Sequence, residues 1–414
     1  MKLLCSRIVL LSALLLPAGA LAQQGPGESV FGVFVDPSGT LRQRAVDGRE
    51  LNQIRARARL ATSDRTAGEL HFVSLNKLLA EARKHIEQDQ PLPDSIKHLE
   101  GLTQVRYVLA YPDESDLVIA GVAEEIDKST PLQPRGRTTG RPVLHFDDLI
   151  VALRMARDGG RMEPIGCSID LPPNTMQVGK DLRQKYARGG NVRQMMRELA
   201  EQMGPQNVRY LGVPADSRIA FVCVAADYKL KRYTHGVEAP PVPGIGHGVD
   251  NSRVAANGWW FEASYEPMLV APDGNSFEFR GPRLVLKAGG VPFDEKGATE
   301  KAKAFARNFN AKVPQLVALN PLFADLQNVT DLALLAALIR HDKLDDRTGL
   351  DLSFWRSEAY RPDPVPTPRT ADTIVNYIAG SVVAGGVKLR MSDHLESRET
   401  DRGNALERVR AKRK

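Results

Sequence analysis

The sequence predicts an α+β fold in which helices cover antiparallel β-sheets. Two segments, residues 117–122 and 219–226, are almost entirely apolar and lack the alternation of a half-solvated strand. Such runs are typical of strands that are covered on both faces. Each run follows a short turn that begins with Pro, at 112–115 and 214–217, and these tight turns predict antiparallel hairpins. Helical spacing of apolar residues before each hairpin predicts the covering layer.

The two hairpins belong to longer stretches of similar sequence. The tripeptide Leu-His-Phe begins both stretches, at Leu70 and Leu144, and helical spacing follows in each. Ser74 and Asp148 occupy the same place in the alignment, where either side chain can cap the following helix. We therefore predict a duplicated helix–helix–strand–strand module. Chance similarity between two degenerate segments is the alternative.

The chain of 414 residues is long enough for more than one domain, because single domains usually hold about 100–200 residues. A loop rich in Gly and Pro at residues 233–254 predicts a boundary. Beyond it we predict a β-meander of four short strands between residues 259 and 287, two helices, and a strand pair at 373–389. The predicted units are a signal peptide at 1–22, an N-terminal strand and Arg-rich helix at 23–69, the duplicated domain at 70–234 with copies at about 70–126 and 144–228, a C-terminal α+β domain at 250–390, and a basic polar tail at 391–414.

The first 22 residues have the pattern of an export signal. Lys2 and Arg7 precede an apolar run at 8–16, and small residues end the segment, which predicts cleavage after Ala22. An uncleaved N-terminal anchor is the alternative. We expect no later stretch to span a membrane, so the cleaved chain is expected in the periplasm or outside the cell.

The small net charge of the chain gives little support for a polyanionic partner such as nucleic acid. The formal net charge is +6, which is small for 414 residues, and part of it lies in the C-terminal tail. Such a tail can contact an anionic polymer or can simply be solvated. No nucleic-acid recognition motif is present, so we expect no nucleic-acid partner. The expected partner is an unidentified protein or polymer of the cell envelope.

Six motifs follow one another along the chain in a recognisable order. They are LPDSIKHLEGL with VRYVLAYPDESDLVIAG, GRPVLHFDDLIVALR, IGCSID, VAADYKLKR, WWFEASYEPMLVAPDG and LFADLQNVTDLALLAALI. With these motifs the chain resembles an exported bacterial family catalogued as a domain of unknown function, number 1598, from about residue 74 to residue 386. The resemblance implies export and a shared fold, and it brings no activity, cofactor or catalytic residue.

The common catalytic and metal-binding motifs are missing from the sequence. There is no phosphate-binding loop, no GxSxG elbow, no HExxH and no CxxC, so we predict neither a cofactor nor a metal from motifs. Cys167 and Cys223 remain in the predicted mature chain, either as two buried thiols or as a disulfide. His71 and His145 hold equivalent places in the two copies, either as paired ligands or as structural hydrogen-bonding groups.

Two sets of residues are weak candidates for ligand binding. Two histidines and two carboxylates near the Gly/Pro loop can form a metal or acid–base site, although solvated loop side chains are the alternative. Three aromatic residues follow, of which one tryptophan can face a sugar or peptide, unless helices cover both. The candidates are Asp227, His235, Glu238, His247, Trp259, Trp260 and Tyr265.

These observations favour an exported protein that binds or scaffolds in the cell envelope. The alternative is a metal-dependent or acid–base hydrolase that uses the region 227–247. Whether the chain is an enzyme stays open at this stage, because the sequence offers no reactive set of residues that matches a known spacing.

Overall fold

The computed structural model describes residues 32–60, 69–129, 133–170, 172–249, 257–290, 297–378 and 381–389. The strands in these residues are β1 (Gly32–Val35), β2 (Gln43–Ala45), β3 (Leu70–Ser74), β4 (Tyr107–Tyr111), β5 (Asp116–Val122), β6 (Ile126–Asp127), β7 (Arg135–Gly136), β8 (Ile165–Asp170), β9 (Gln206–Leu211), β10 (Asn257–Val270), β11 (Ser276–Gly290), β12 (Thr370–Ile378) and β13 (Ser381–Leu389). The helices are α1 (Pro37–Thr40), α2 (Arg49–Leu60), α3 (Leu75–Glu87), α4 (Asp94–Lys97), α5 (Phe146–Met155), α6 (Thr175–Tyr186), α7 (Val192–Met203), α8 (Arg218–Thr234), α9 (Glu300–Leu319), α10 (Pro321–His341), α11 (Leu344–Arg347) and α12 (Ser353–Arg356).

One mixed sheet runs through most of the described chain. Its order is β13-β12-β9-β8-β1-β10-β11-β4-β5-β3, and β2 also pairs with β10. The pairs of β1 and β2 with β10 are parallel, whereas the other ladders are antiparallel. The predicted α+β class is confirmed, with one mixed sheet in place of separate antiparallel sheets.

The predicted second hairpin is wrong. Residues 208–211 belong to β9, but the apolar run at 219–226 lies in the helix α8. The side chain of Ser217 accepts a hydrogen bond from the backbone N–H of Ala220 at 3.2 Å and so caps the helix. An apolar run gives no period when every side of the element is buried, so the sequence did not separate helix from strand here.

The two predicted copies therefore have different structures. In the first copy, β4 and β5 form the predicted hairpin, with Tyr107 opposite Ala120. Ser74 caps α3 as predicted, accepting from the N–H of Lys77 at 3.1 Å. In the second copy Asp148 lies inside α5 instead of capping it, and the strand pair is replaced by β9 and α8. The fold does not support the duplication.

The predicted meander of four short strands is instead one hairpin of two long strands, β10 and β11. The predicted turn at 272–275 is present, with the N–H of Gly274 bonded to the carbonyl of Ala271. Register shifts interrupt the ladder between Ser264 and Glu266 and again before Leu269. These bulges accommodate the proline and glycine residues that suggested strand ends in the sequence.

The predicted domain boundaries stay predictions. The sheet contains strands from all three predicted segments, since β1, β4 and β10 come from 23–69, 70–234 and 250–390. The predicted signal peptide, with its predicted cleavage after Ala22, and the predicted tail at 391–414 lie outside the described residues.

The helix α10 forms the centre of the core. Asn320 caps it, and every residue from Leu322 to Ile339 is buried. Among the described residues it is the one helix long and apolar enough to cross a membrane, although 94% of its apolar window is buried inside the protein. The sequence analysis expected no stretch after residue 22 to be long and apolar enough to span a membrane, and α10 differs from that expectation by its length and composition. A predominantly apolar helix that is covered by its own chain has the properties of a core helix.

A side chain of α9 covers part of the outer edge of β11. The amide of Asn310 accepts from the N–H of Leu286 at 2.8 Å and donates to its carbonyl at 2.9 Å. It thereby takes the place of a neighbouring strand at this residue. Covering an edge in this way blocks pairing with another chain.

The substitution Ser217→Ala tests the helical structure of 218–234. We expect the free energy of unfolding to fall by about 1 kcal/mol, because the capped N–H of Ala220 loses its acceptor. Ser217→Thr keeps the hydroxyl and should remain close to wild type in the same urea titration. If residues 219–226 formed a strand, Ser217 would cap no helix and its replacement by Ala would leave the stability unchanged. A Ser217→Ala variant as stable as wild type would therefore contradict the helical structure of 218–234.

Candidate functional site: the α10 charge cluster

Buried polar side chains interrupt the apolar surface of α10 at five positions, Asp325, Gln327, Asn328, Thr330 and Asp331. Asp325, Asn328 and Asp331 are buried and follow one another at intervals of three residues. They therefore lie within about 120° of the helix circumference. Groups from other elements converge on this side, and together we call them the α10 charge cluster. It comprises Asp325, Asn328 and Asp331 with His98, Glu124, Arg141, His145, Asp148, Arg218, Tyr265 and Arg283.

Arg218 connects three helices at one end of the cluster. It is the first residue of α8, and its guanidinium donates to Asp148 of α5 and to both carboxylate oxygens of Asp325, at 2.6 and 2.7 Å. All three side chains are buried. A guanidinium that is shared by two carboxylates in this way fixes the relative positions of the helices that carry them.

Burial sets the charge states at this end. It raises the pKa of Asp148 to about 7, while the positive charge of Arg218 acts in the opposite direction. Burial also raises the pKa of Asp325, again against the effect of Arg218. Burial alone would lower the pKa of Arg218, but the two carboxylates raise it, so the guanidinium stays charged.

Two histidines lie beside Arg218 in their neutral form. The rings of His98 and His145 meet edge to face, with centroids 5.3 Å apart. Burial lowers the pKa of His98 to about 4, with a further contribution from Arg218. The pKa of His145 lies well below its ordinary value for the same two reasons.

Several buried polar atoms in the cluster have no hydrogen-bond partner within the described chain. They are Nδ1 of His98, Nε2 of His145, Oδ1 of Asp148 and Oδ1 of Asn328. Buried polar atoms normally have a partner, either protein or ordered water. The cluster therefore has hydrogen-bonding capacity that the described residues do not use.

Asp331 organises the other end of the cluster. Its carboxylate accepts from the hydroxyl of Tyr265 at 2.7 Å, from Nε of Arg283 at 3.2 Å and from the N–H of Val105 at 3.1 Å. Tyr265 was a sequence-predicted candidate, and the structure places it here, buried on β10. Its hydroxyl donates to Oδ1 of Asp331, and the N–H of Val105 donates to Oδ2. Both oxygens of the carboxylate therefore accept hydrogen bonds.

Arg283 has a strained backbone, with φ of +65°. It follows the register shift in β11, next to Gly281, where an added Cβ would lie 2.6 Å from the N of Glu266. Its Nη1 donates to the carbonyl of Gly281 and its Nη2 to that of Val105, both at 3.1 Å. A non-glycine residue in this region costs about 1–3 kcal/mol and is often found at functional sites.

A loop from residues 133 to 143 crosses over α10 between the two ends. Asn328 donates to the carbonyl of Pro142 at 3.0 Å and so joins this loop to the helix. The buried carboxylate of Glu124 holds the loop in place, accepting from the N–H groups of Thr138 and Thr139, both at 2.8 Å. Arg141, near the end of this loop, is half-buried.

The candidates near the Gly/Pro loop are held by neighbouring basic residues. Asp227 is fully buried, and Lys231 donates to its two oxygens at 2.6 and 2.7 Å. Burial raises the pKa of Asp227 to about 6, against the effect of Lys231. Glu238 accepts from Lys229 and Arg232.

The two histidines of this set lie in different surroundings. Nδ1 of His235 is 2.9 Å from the carbonyl of Lys231, and burial lowers the pKa of its ring to about 4. Nε2 of His247 is 3.4 Å from Nζ of Lys301. Within the described residues, no group of three or more His, Cys, Asp or Glu side chains is placed to hold a metal ion.

The remaining candidates are mainly structural. Trp259 is buried, donates to the carbonyl of Ala302 at 3.4 Å and packs against α9, whereas Trp260 is half-buried. His71 does not join His145, since its Nε2 pairs with Glu100 at 2.7 Å. Both thiols are free and buried, and burial raises the pKa of Cys167 and Cys223.

Sequence reasoning missed most of the α10 charge cluster. Asp325 and Asp331 stand within a predominantly apolar helix, and such charges are rarely buried without a partner, so this signal was available. Their partners were not visible, because Arg218 precedes Asp325 by 107 residues and Arg283 precedes Asp331 by 48.

Comparisons with known proteins identify one segment of the chain. Residues 167–246 match the family model described as "Protein of unknown function (DUF1598)". The match runs from β8 through α8 and includes Arg218. The predicted resemblance is confirmed over this segment. No curated protein and no solved structure matches the chain.

The pKa of Asp148 predicts how stability depends on pH. Its folded pKa of about 7 lies above the ordinary value of 3.8, so its contribution is complete below about pH 4 and is lost as the pH rises through about 7. We expect the free energy of unfolding to fall by about 1–2 kcal/mol from pH 5.5 to 8 because of this group.

The substitution Asp148→Asn isolates this contribution. The facing groups are Arg218 from α8, Asp325 from α10 and Asp147 from α5, and Asp227 also has a raised pKa near this range. The quantity to compare is therefore the slope of stability against pH in wild type and variant. Equal slopes from pH 5.5 to 8 would show that Asp148 does not titrate there.

Proposed function

We propose that this protein is exported and acts by binding or scaffolding in the cell envelope, in the periplasm or outside the cell. The pattern of Lys2, Arg7, the apolar run and Ala22 supports export. The proposed partner is a protein or polymer of the envelope. Cleavage after Ala22 would leave a chain that does not span the membrane.

The observation that carries the binding role is the unused polar capacity of the α10 charge cluster. Buried polar atoms that have no partner among the described residues lie there with charged groups on α5, α8 and α10. Side chains on packed helices are held more rigidly than side chains on loops. A preorganised set of unpaired polar atoms favours holding a polar ligand, which would supply the missing hydrogen bonds.

The alternative, a hydrolase that uses residues 227–247, receives no support from the geometry. Lys231 holds Asp227, and Lys229 with Arg232 holds Glu238, at hydrogen-bond distance. A general base or metal ligand needs a carboxylate or imidazole that faces the reacting group. These two carboxylates face their own neighbours instead.

Retention on washed cell-envelope fragments tests the proposal. We expect the purified protein to bind the fragments saturably, and unlabelled protein to displace labelled protein. The variant His247→Asn should bind equally well, because the alternative assigns His247 to catalysis and the proposal does not. Absence of saturable retention, or hydrolysis of ester or peptide substrates that His247→Asn abolishes, would contradict the binding role.

A further inference from the structure

Arg141 has an unusual position at the rim of the α10 charge cluster. It is half-buried, and its guanidinium makes no hydrogen bond or ion pair within the part of the chain that the structure describes. Its backbone is fixed, because its N–H donates to Oγ1 of Thr139 at 3.3 Å and its carbonyl accepts from Gly136 at 2.7 Å. The backbone therefore positions Arg141 at this rim, where its side chain has no partner among the described residues.

The neighbours of Arg141 do not compensate its charge by direct contact. Burial lowers its pKa, and the positive charge of Arg283 lowers it further. Asp331 and Glu124 act in the opposite direction, but their oxygens already accept bonds from other groups. Geometry places the two side chains on the same part of α10. Arg141 directly precedes Pro142, whose carbonyl accepts from Asn328 at 3.0 Å, and Arg283 contacts Asp331, three residues further along the helix, at 3.2 Å. Two neighbouring guanidinium groups in a partly desolvated place favour an anion between them.

The guanidinium of Arg283 is preorganised to bind such an anion. Asp331 and the carbonyls of Gly281 and Val105 take three of its five N–H donors and fix the guanidinium plane. Two donors stay available for another acceptor. The strained backbone of Arg283 is an independent sign that its orientation matters for more than packing.

We infer that Arg141 and Arg283 form a binding site for an oxyanion, either a carboxylate or a phosphate group of the ligand. The planar guanidinium matches both groups with paired hydrogen bonds. In this site Arg283 is the fixed donor, and Arg141 closes on the anion from the rim. The inference rests on the proposed binding function and specifies the chemistry of the ligand.

Thermal unfolding of the purified protein tests the oxyanion site. Inorganic phosphate or acetate is added at constant ionic strength set with chloride, and we expect a saturable rise in Tm. Arg141→Gln should raise the half-saturating concentration at least tenfold. Arg141→Lys should give an intermediate value, because it keeps the charge and loses the paired geometry.

Arg137→Gln is the matched control. Arg137 lies in the same loop, is exposed and pairs with Glu125 on the surface. Its replacement should leave the half-saturating concentration unchanged. A response to phosphate alone, to acetate alone or to both supports the site and identifies which oxyanion it prefers.

A measurement without anion separates a binding role from a structural one. Arg141→Gln should then have a higher Tm than wild type, because it removes the repulsion from Arg283. A lower Tm, an unchanged anion response in Arg141→Gln, an equal loss in Arg137→Gln, or no saturable response of wild type to either anion overturns the inference.

The outcome is separable from that of the proposed function. Retention on envelope fragments without anion binding would keep the binding role and remove the oxyanion site. Saturable anion binding without retention would keep the oxyanion site and remove the envelope role.

Discussion

The guanidinium of Arg218 lies between the carboxylates of Asp148 and Asp325, and all three side chains are buried in the core. Each of these charges would destabilise the fold if it were buried alone, because the loss of hydration costs several kcal/mol per ion. They are tolerated only when α5, α8 and α10 bring them together. The ion triad thereby restricts how the three helices can pack, which apolar side chains alone do less specifically.

The same constraint connects the core to the proposed binding site. Because α10 carries both Asp325 and Asp331, the helix that the triad fixes also positions Arg283 and Tyr265 at the opposite end. Asn328 holds the loop that carries Arg141, through the carbonyl of Pro142. The cluster thus gives a rigid base beneath a half-buried rim, which is the arrangement that binding sites on packed helices use to lower the entropy lost on binding.

Local signals in the sequence predicted much of the fold. The α+β class, the cap at Ser74 and the hairpin around the turn at 112–115 were predicted from residues that lie close together in the chain. The helix α8 was not, because a fully buried helix and a fully buried strand present the same apolar run. The lengths of β10 and β11 were not predicted, because the proline and glycine residues that indicated strand ends lie at β-bulges within these two strands.

Contacts between residues far apart in the chain are the other features that the sequence did not predict. The parallel pairing of β1 with β10 joins residues that lie more than 200 positions apart, such as Val33 and Phe261. The α10 charge cluster also depends on distant residues. A carboxylate in a predominantly apolar helix indicates that a basic residue must pair with it, but it does not indicate which basic residue of the chain does so. The seven candidate residues were chosen for their chemistry and proximity in sequence, and only Tyr265 lies in the cluster.

Replacement of the buried triad tests most directly whether it holds the helices together. The free energy of unfolding is measured by chemical denaturation for Arg218→Met and for the triple variant Asp148→Leu, Arg218→Met, Asp325→Leu. The single variant leaves two uncompensated buried carboxylates and should lose about 3–5 kcal/mol, whereas the triple variant removes all three charges and should lose clearly less. A single variant within about 1 kcal/mol of wild type, or a triple variant as unstable as the single, would contradict the account.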